Sequence, residues 1–226
     1  MRIYFVRHSE TEANKRHLFY GRLNLPITEH GKTQAKRVGE LLSNVRFDKV
    51  YQSPMLRVDQ TTDIILSENR YAQLKMPERM KIEEIRELDF GLWEGLTYRE
   101  IQEKYPKEVE LWTRDWVNAQ PNGGETFKHF YEERVPAGFQ RIMKDAKDNH
   151  LEHGTILIAA HNGPLQAMFA VAILGLPMKN IWNFEFEQEA YACIDFEYDN
   201  FTIRRINSTE IAKMEEGFND FRADLK

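Results

Sequence analysis

Cysteine is almost missing from this chain. Cys193 stands alone among 226 residues, so no intrachain disulfide can form and no Cys-x-x-Cys redox or metal pair exists. The run from Tyr191 to Phe196 around it reads as a strand, which predicts a buried, inert thiol rather than a nucleophile. No Gly-x-x-x-x-Gly-Lys loop and no His-Glu-x-x-His pair occurs, so nucleotide-loop and metal mechanisms have no support and neither cofactor nor metal is expected. No apolar run reaches the roughly 18 residues needed to span a bilayer. The first residues, Met1 to His8, lack the apolar stretch and small-residue cleavage site of a secretory signal. Excess positive charge is also absent. The net charge is -5, which does not favour nucleic acid or an anionic membrane as partner, and a cytoplasmic protein is expected. No repeat, low-complexity tract or linker divides the chain, which suits a single α/β domain over residues 1–226.

What is present is a recurring strand-loop-helix unit. Ile3 to Val6 leads into Arg7-His8-Ser9, Lys49 to Tyr51 into Gln52-Ser53-Pro54, and Thr155 to Ala160 into His161-Asn162-Gly163. Each apolar run is short, β-branched or aromatic, and bounded by polar residues, as buried strands are. A helical pattern follows each, which implies a largely parallel sheet with helices on both faces. Thr28 is placed to cap a helix carrying Ala35, Val38, Leu41 and Leu42 on one face. Ser53-Pro54 reads as an N-cap and a first-turn proline, and Gly154 as the stop of the helix through Phe139, Ile142 and Met143. Gly163-Pro164 opens a helix with Met168, Val171 and Leu174. Residues 189–206 alternate around Asp199-Asn200 and read as a hairpin at one side of the sheet. Residues of about 90–135, with Trp93, Trp112 and Trp116, read as an insertion over one end of the sheet. The charged stretch from about Thr209 reads as a tail that docks as a helix or frays.

In a parallel sheet, ligands bind beyond the carboxyl ends of the strands. That directs attention to His8 and His161, to Arg7, and to Arg57 in the helix after the second strand. Guanidinium groups fork onto phosphate oxygens and keep their charge. An imidazole is nucleophilic when neutral and when its second nitrogen is held by an acceptor. Two arginines beside two histidines therefore describe an anion site with a nucleophile in it. The missing part is an acid for the leaving oxygen, for which Glu87 and Asp89 are both candidates. Taken one at a time these residues are weak signals. A histidine after a strand is more often structural, and an arginine early in a helix is more often solvated.

Six segments in order carry a resemblance. Val6-Arg7-His8-Ser9-Glu10-Thr11 with Asn14 resembles the Arg-His-Gly-Glu-Thr signature of the histidine phosphatase superfamily, also called the phosphoglycerate mutase-like family. Leu25 to Gly31 with Gln34-Ala35, and Ser53-Pro54 through Arg57 to Gln60-Thr61, are similar to its next segments. Glu87-Leu88-Asp89-Phe90-Gly91 resembles the acid-bearing segment of its small phosphatases, including the α-ribazole phosphatase type. Gly124-Glu125-Thr126 resembles its Gly-Glu-Ser, and His161-Asn162-Gly163 the later His-Gly-Gly. The resemblance implies a three-layer α/β/α sandwich and a metal-independent phosphatase acting on a small phosphate ester through a phosphohistidine. It implies His8 as nucleophile, Glu87 as acid and then base, and Arg7, Arg57 and His161 around the phosphoryl oxygens. Asn14 and the backbone N–H of Asn162 would add phosphate contacts, with Tyr20 and Gly21 as further substrate contacts. Ser9 and Asn162 depart from the family's usual glycines and leave the backbone there less free, which puts rate and phosphate geometry in question more than the fold.

Two alternatives remain open at this level. A phosphoglycerate-type mutase would use the same phosphohistidine but return the phosphoryl group to the substrate. A phospho-ligand-binding regulator with little turnover would keep the anion site and lose the chemistry. The substrate and the oligomeric state, a homodimer included, are not readable from these residues.

Overall fold

Apolar side chains stand on both faces of the central strands, so both faces have to be covered. In the computed structural model, which describes residues 1–212, they are. The strands are β1 (Arg2–Arg7), β2 (Lys49–Gln52), β3 (Glu78–Lys81), β4 (Thr155–Ala160), β5 (Tyr191–Glu197) and β6 (Asn200–Ser208). They form one six-stranded sheet of order β3-β2-β4-β1-β5-β6. The first four are mutually parallel, while β5 runs antiparallel to β1 and to β6. Ile3, Phe5, Ile156, Ile158, Ala192 and Ile194 enter one core, and Tyr4, Val6, Leu157, Ala159, Tyr191 and Cys193 enter the other. This is the period-2 alternation of a sheet buried on both sides.

The helices are α1 (Glu12–Lys15), α2 (Glu29–Leu41), α3 (Leu56–Glu68), α4 (Arg70–Leu74), α5 (Tyr98–Lys104), α6 (Pro106–Arg114), α7 (Val135–Asp148) and α8 (Asn162–Ala167). Residues of α2, α3 and α4 close the core of Tyr4 and Val6. Residues of α7, α8 and the π-helical turn Met168–Ile173 close the core of Ile3 and Phe5. The expected mixed α/β architecture with a largely parallel sheet is therefore what the chain forms. Thr28 caps α2 as expected, its hydroxyl accepting the Gly31 N–H at 2.9 Å.

Three local readings change. Ser53 and Pro54 do not open α3: the helix begins at Leu56 after Met55, and the Ser53 hydroxyl is used elsewhere, as described below. Gly154 does not end α7. That helix stops at Asp148, and His150 takes the left-handed conformation (φ 57°) that turns the chain away. The hairpin turn lies one residue earlier than expected, at Tyr198-Asp199, both with positive φ (49° and 59°), as a two-residue turn of the tight hairpin type requires. Of the charged tail, residues beyond 212 lie outside the described residues.

Within residues 90–135, Trp93, Ile101 and Val109 form a small apolar cluster with Phe19, Phe90 and Trp112 packed against it. Phe90, Trp112 and Trp116 also pack on the core under the sheet, so this stretch is continuous with the main body. The aromatic residues here serve packing: Phe19 meets Trp93 edge to face at 5.9 Å, and Trp93 meets Trp112 at 5.6 Å.

Strand β5 is tied to its neighbours by a buried carboxylate. Asp195, 2% exposed, accepts from Arg2 Nε at 2.8 Å on one side and from Arg204 Nε at 2.5 Å on the other. Burial alone would raise its pKa, but the two guanidinium groups outweigh it and hold the carboxyl below its ordinary value. Asp195→Ala is expected to cost roughly 2–3 kcal/mol in urea unfolding at neutral pH, the low end for a broken buried pair because Arg204 is half in water. The folded pKa is depressed, so this difference is present at neutral pH and shrinks as pH falls through it. A midpoint unchanged at neutral pH would show that the pair does not hold the strand.

Candidate active site

Strands β1, β2 and β4 end level with one another. Arg7 is in register with Ala160, and Gln52 with Ala159. The ladder runs one bond further on each side, with His8 N–H donating to Ala160 O at 2.9 Å and Ser53 N–H to Ala159 O at 3.0 Å. The residues that follow each strand are thereby laid side by side. The His8 and His161 rings meet edge to face with centroids 5.1 Å apart.

The hydrogen bonding of His8 fixes its tautomer. Nδ1 lies 2.8 Å from the Ser9 carbonyl, which can only accept, so Nδ1 carries the proton and Nε2 keeps its lone pair. Burial, then the charges of Arg57 and Arg7, hold this imidazole well below its ordinary pKa. Ser9 is itself pinned, its N–H donating at 3.0 Å to Thr61 Oγ1, which donates in turn to Arg57 O at 2.7 Å. His161 is buried and shifted the same way by burial, Arg57 and His8. Its Nδ1 accepts from Arg57 Nε at 3.2 Å, and its Nε2 faces the Ser53 hydroxyl at 2.8 Å. Both nitrogens of this second histidine thus already have protein partners.

Arg57 is buried and Arg7 half-buried, and neither has a counterion among the described residues. Arg57 spends three N–H groups on His161, Leu23 O (3.0 Å) and Gly21 O (3.1 Å), with its guanidinium 4.7 Å over the Tyr20 ring. One N–H remains on each terminal nitrogen. Arg7 donates to Phe186 O at 2.8 Å, while its Nε is buried with no partner. Neither makes an ion pair among the described residues, and burial lowers the pKa of both. An anion would satisfy these donors.

Glu87 lies half-buried at the same place. One carboxylate oxygen accepts from Leu88 N–H at 2.9 Å, the other from Gly163 N–H at 3.3 Å. Burial outweighs these bonds and the Arg57 charge, and holds the carboxyl above the ordinary range. The fit demands glycine: a Cβ at Gly163 would lie 2.4 Å from Glu87 Oε1. Gly21 is constrained more tightly, since a Cβ there would sit 1.7 Å from Leu88 O. This close approach brings the loop after α1 against the segment bearing Glu87. Glu94 finishes the junction by accepting from Gly21 N–H (2.7 Å) and Arg22 N–H (2.9 Å).

Asn14 lies at the rim with its Oδ1 accepting from Thr11 N–H (3.0 Å), Tyr20 Oη (2.9 Å) and Gln188 Nε2 (3.2 Å), which leaves Nδ2 as its available donor. Asn162 is the first residue of α8, and its Oδ1 accepts the Phe186 N–H at 3.1 Å. Neither Ser9 nor Asn162 has positive φ. The backbone therefore does not need glycine at these two departures, and Asn162 uses its side chain to anchor a neighbouring segment. Asp89 is drawn away from the cluster. It pairs with Arg22 at 2.9 Å and accepts from Gly91 N–H at 3.0 Å.

Sequence reasoning missed two participants. Ser53 had the look of a helix cap but partners His161. Gln188 donates to the His8 carbonyl at 3.1 Å as well as to Asn14, and nothing local in its setting signals this. Among the described residues, no three His, Cys, Asp or Glu side chains are grouped to hold a metal ion. No helix there is long and apolar enough to cross a membrane.

Comparison with known proteins gives a consistent picture. The family model described as histidine phosphatase superfamily (branch 1) matches residues 3–209. The adenosylcobalamin/alpha-ribazole phosphatase of Escherichia coli (strain K12) is 31% identical over 211 residues, 93% of this chain and 98% of that protein. Phosphoserine phosphatase 1 of Hydrogenobacter thermophilus is 30% identical over 92% of this chain and 93% of its own. The crystal structure of the alpha-ribazole phosphatase from Shigella flexneri superposes with a TM-score of 0.83 at 31% identity, covering 95% of this chain and 100% of that one.

The burial of His8 and His161 has a direct consequence. An ordinary histidine is half protonated near pH 6.5 (about the model-peptide value). In an NMR titration both rings are expected to keep neutral-imidazole shifts at that pH and to titrate only below it. Half-protonation of either ring at its ordinary pH would contradict the enclosed site.

Proposed function

The chain belongs to branch 1 of the histidine phosphatase superfamily, and we propose that His8 is the nucleophile with which it hydrolyses a small phosphate monoester. It is an enzyme of phosphate-ester hydrolysis, with a phosphohistidine on its path. The observation that carries the assignment to His8 is its tautomer: a neutral, buried imidazole with Nδ1 held by Ser9 O and Nε2 free, beside the buried Arg57 and half-buried Arg7 guanidinium groups, neither of them ion-paired among the described residues.

The steps follow from the geometry. Arg7 and the free N–H groups of Arg57 draw the phosphoryl oxygens in, aided by Asn14 Nδ2 and the Asn162 N–H at the start of α8. His8 Nε2 attacks phosphorus as the bond to the ester oxygen breaks, and protonated Glu87 gives its proton to that oxygen. The alcohol leaves. Glu87, now a carboxylate, takes a proton from water as that water attacks the phosphohistidine, which releases phosphate and restores His8. Little covalent chemistry is asked of the protein beyond this, because phosphoryl transfer depends chiefly on alignment and charge stabilisation. In this arrangement His161 acts through Arg57, which it orients. It reaches the phosphoryl group directly when Nε2 exchanges Ser53 for an oxygen of the substrate. Tyr20 and Gly21 shape the same wall through Arg57. We read the chain as one domain, with residues 90–135 flanking the pocket mouth.

α-Ribazole phosphate and phosphoserine are the first esters to test, since relatives similar over nine-tenths of the chain carry those names. The test is phosphate release from a panel containing both, with chelator present. His8→Ala is expected to abolish release with the circular dichroism spectrum unchanged; equal activity in the variant removes His8 from the mechanism. Wild-type phosphohistidine that passes to an acceptor alcohol rather than to water would instead favour a mutase, and ligand binding without release a regulator.

The pH profile has a definite sign. His8 must be neutral and its pKa is depressed, so the acid limb of kcat/KM lies below about 6.5. Glu87 must be protonated and its pKa is raised, so activity falls as pH rises through that value. Glu87→Gln is expected to remove the alkaline limb of kcat/KM and, since kcat/KM reads only the steps up to departure of the alcohol, to lower it by about 100-fold for esters of poor leaving groups while sparing good ones. A uniform loss on all esters would point to another acid.

A further inference from the structure

The segment that carries Glu87 has no regular structure to hold it. After the short 3-10 turn Glu83–Ile85, the chain from Arg86 to Phe90 runs as coil with no strand ladder on either side. A group that must deliver a proton to one oxygen has to be placed within a fraction of an ångström, so something else has to fix this backbone.

Arg134 does so with every donor it has. Nη1 donates to Glu84 O at 2.8 Å and Arg86 O at 3.1 Å, and Nη2 donates to Glu87 O at 3.2 Å. Nη2 and Nε also fork onto the carboxylate of Glu125, at 2.6 and 3.0 Å. All five N–H groups of the guanidinium are thereby used. Glu125 completes the clasp: its Oε1 accepts the Asp89 N–H at 3.0 Å, on the far side of Glu87. Carbonyls before and at Glu87 and an amide after it are therefore held by one ion pair. Both side chains are largely enclosed, 16% and 15% exposed. The guanidinium also lies 4.8 Å over the ring of Phe130, whose edge bounds the space where Gly163 meets the Glu87 carboxylate. Arg134 ends the π-helical turn His129–Arg134, an irregular turn of the kind that re-aims side chains at functional sites.

We propose that Arg134 and Glu125 are positioning residues for the acid, a clasp that sets the Glu87 carboxyl at the leaving oxygen without touching the substrate. The proposal rests on Glu87 being the general acid. Lysine cannot replace the clasp, since a single ammonium has neither the fork nor the reach to three carbonyls at once.

The test compares wild type, Arg134→Lys, Glu87→Gln and the double variant on two esters. 4-Nitrophenyl phosphate has a leaving group that needs little protonation, and phenyl phosphate one that needs much. Arg134→Lys is expected to lower kcat/KM, which reads only the steps up to departure of the alcohol, by about 10- to 50-fold on phenyl phosphate while changing it for the nitrophenyl ester by less than about 3-fold. Combined with Glu87→Gln it should add little further loss on phenyl phosphate, because the two changes remove one function. Equal slowing of both esters, no slowing of either, or full additivity in the double variant overturns the proposal. Should Arg134→Lys fail to fold, shown by its melting temperature, Glu125→Gln carries the same comparison with the same expected discrimination. If Glu87→Gln itself shows no preference between the esters, the acid assignment has failed, and that result is separate from a failure of the clasp.

Discussion

A buried guanidinium, Arg57, and a half-buried one, Arg7, beside a neutral imidazole, with no carboxylate paired to them among the described residues, are the constraint on which the rest of this site depends. Positive charge held out of water without a counterion is costly, and here it is tolerated because backbone carbonyls of Gly21, Leu23 and Phe186 accept from the arginines. Burial, and then the same field, keep both histidines unprotonated, which leaves the lone pair of His8 Nε2 available for the proposed attack. An incoming phosphate dianion replaces the missing counterion. Burial that is unfavourable for these charges by themselves thereby becomes affinity for a phosphate-bearing ligand.

The proposed acid, Glu87, obeys the opposite logic in the same enclosure. Burial disfavours charge of either sign, so it pushes His8 down and Glu87 up, and the two groups adopt the protonation states that transfer requires. Their separate placement comes from different parts of the fold. His8 is delivered by the end of β1, a rigid central strand. Glu87 arrives on coil and is fixed by Arg134, Glu125, and the close approaches at Gly21 and Gly163. Strand ends supply the proposed nucleophile and anion donors, and the loops packed over them supply the proposed acid.

Ser9 and Asn162 illustrate how a departure from a family pattern is absorbed. Neither position has a conformation that excludes a side chain. Asn162 goes further and accepts the Phe186 N–H, joining α8 to the segment whose Phe186 carbonyl holds Arg7 and whose Gln188 reaches His8 and Asn14. The family's glycines are therefore not a backbone requirement of this fold at these two sites.

The alternation of Ile3 to Val6 and Thr155 to Ala160, the cap at Thr28, and the polar residues after each strand were enough to read a parallel sheet with His8, Arg7, Arg57 and His161 at one end. Those features are local: period, caps and strand ends depend on neighbours in the chain. The ordered segments that resemble the histidine phosphatases added Glu87 over Asp89, a choice periodicity alone could not make. Only tertiary structure decided the rest. Ser53 serves His161 rather than α3, Asp89 turns to Arg22, Gln188 bonds to the His8 carbonyl, and Arg134 clasps the Glu87 segment. Each is a contact between residues far apart in sequence, and its partner is set by how layers and loops pack, which leaves no trace in the spacing of the residues themselves.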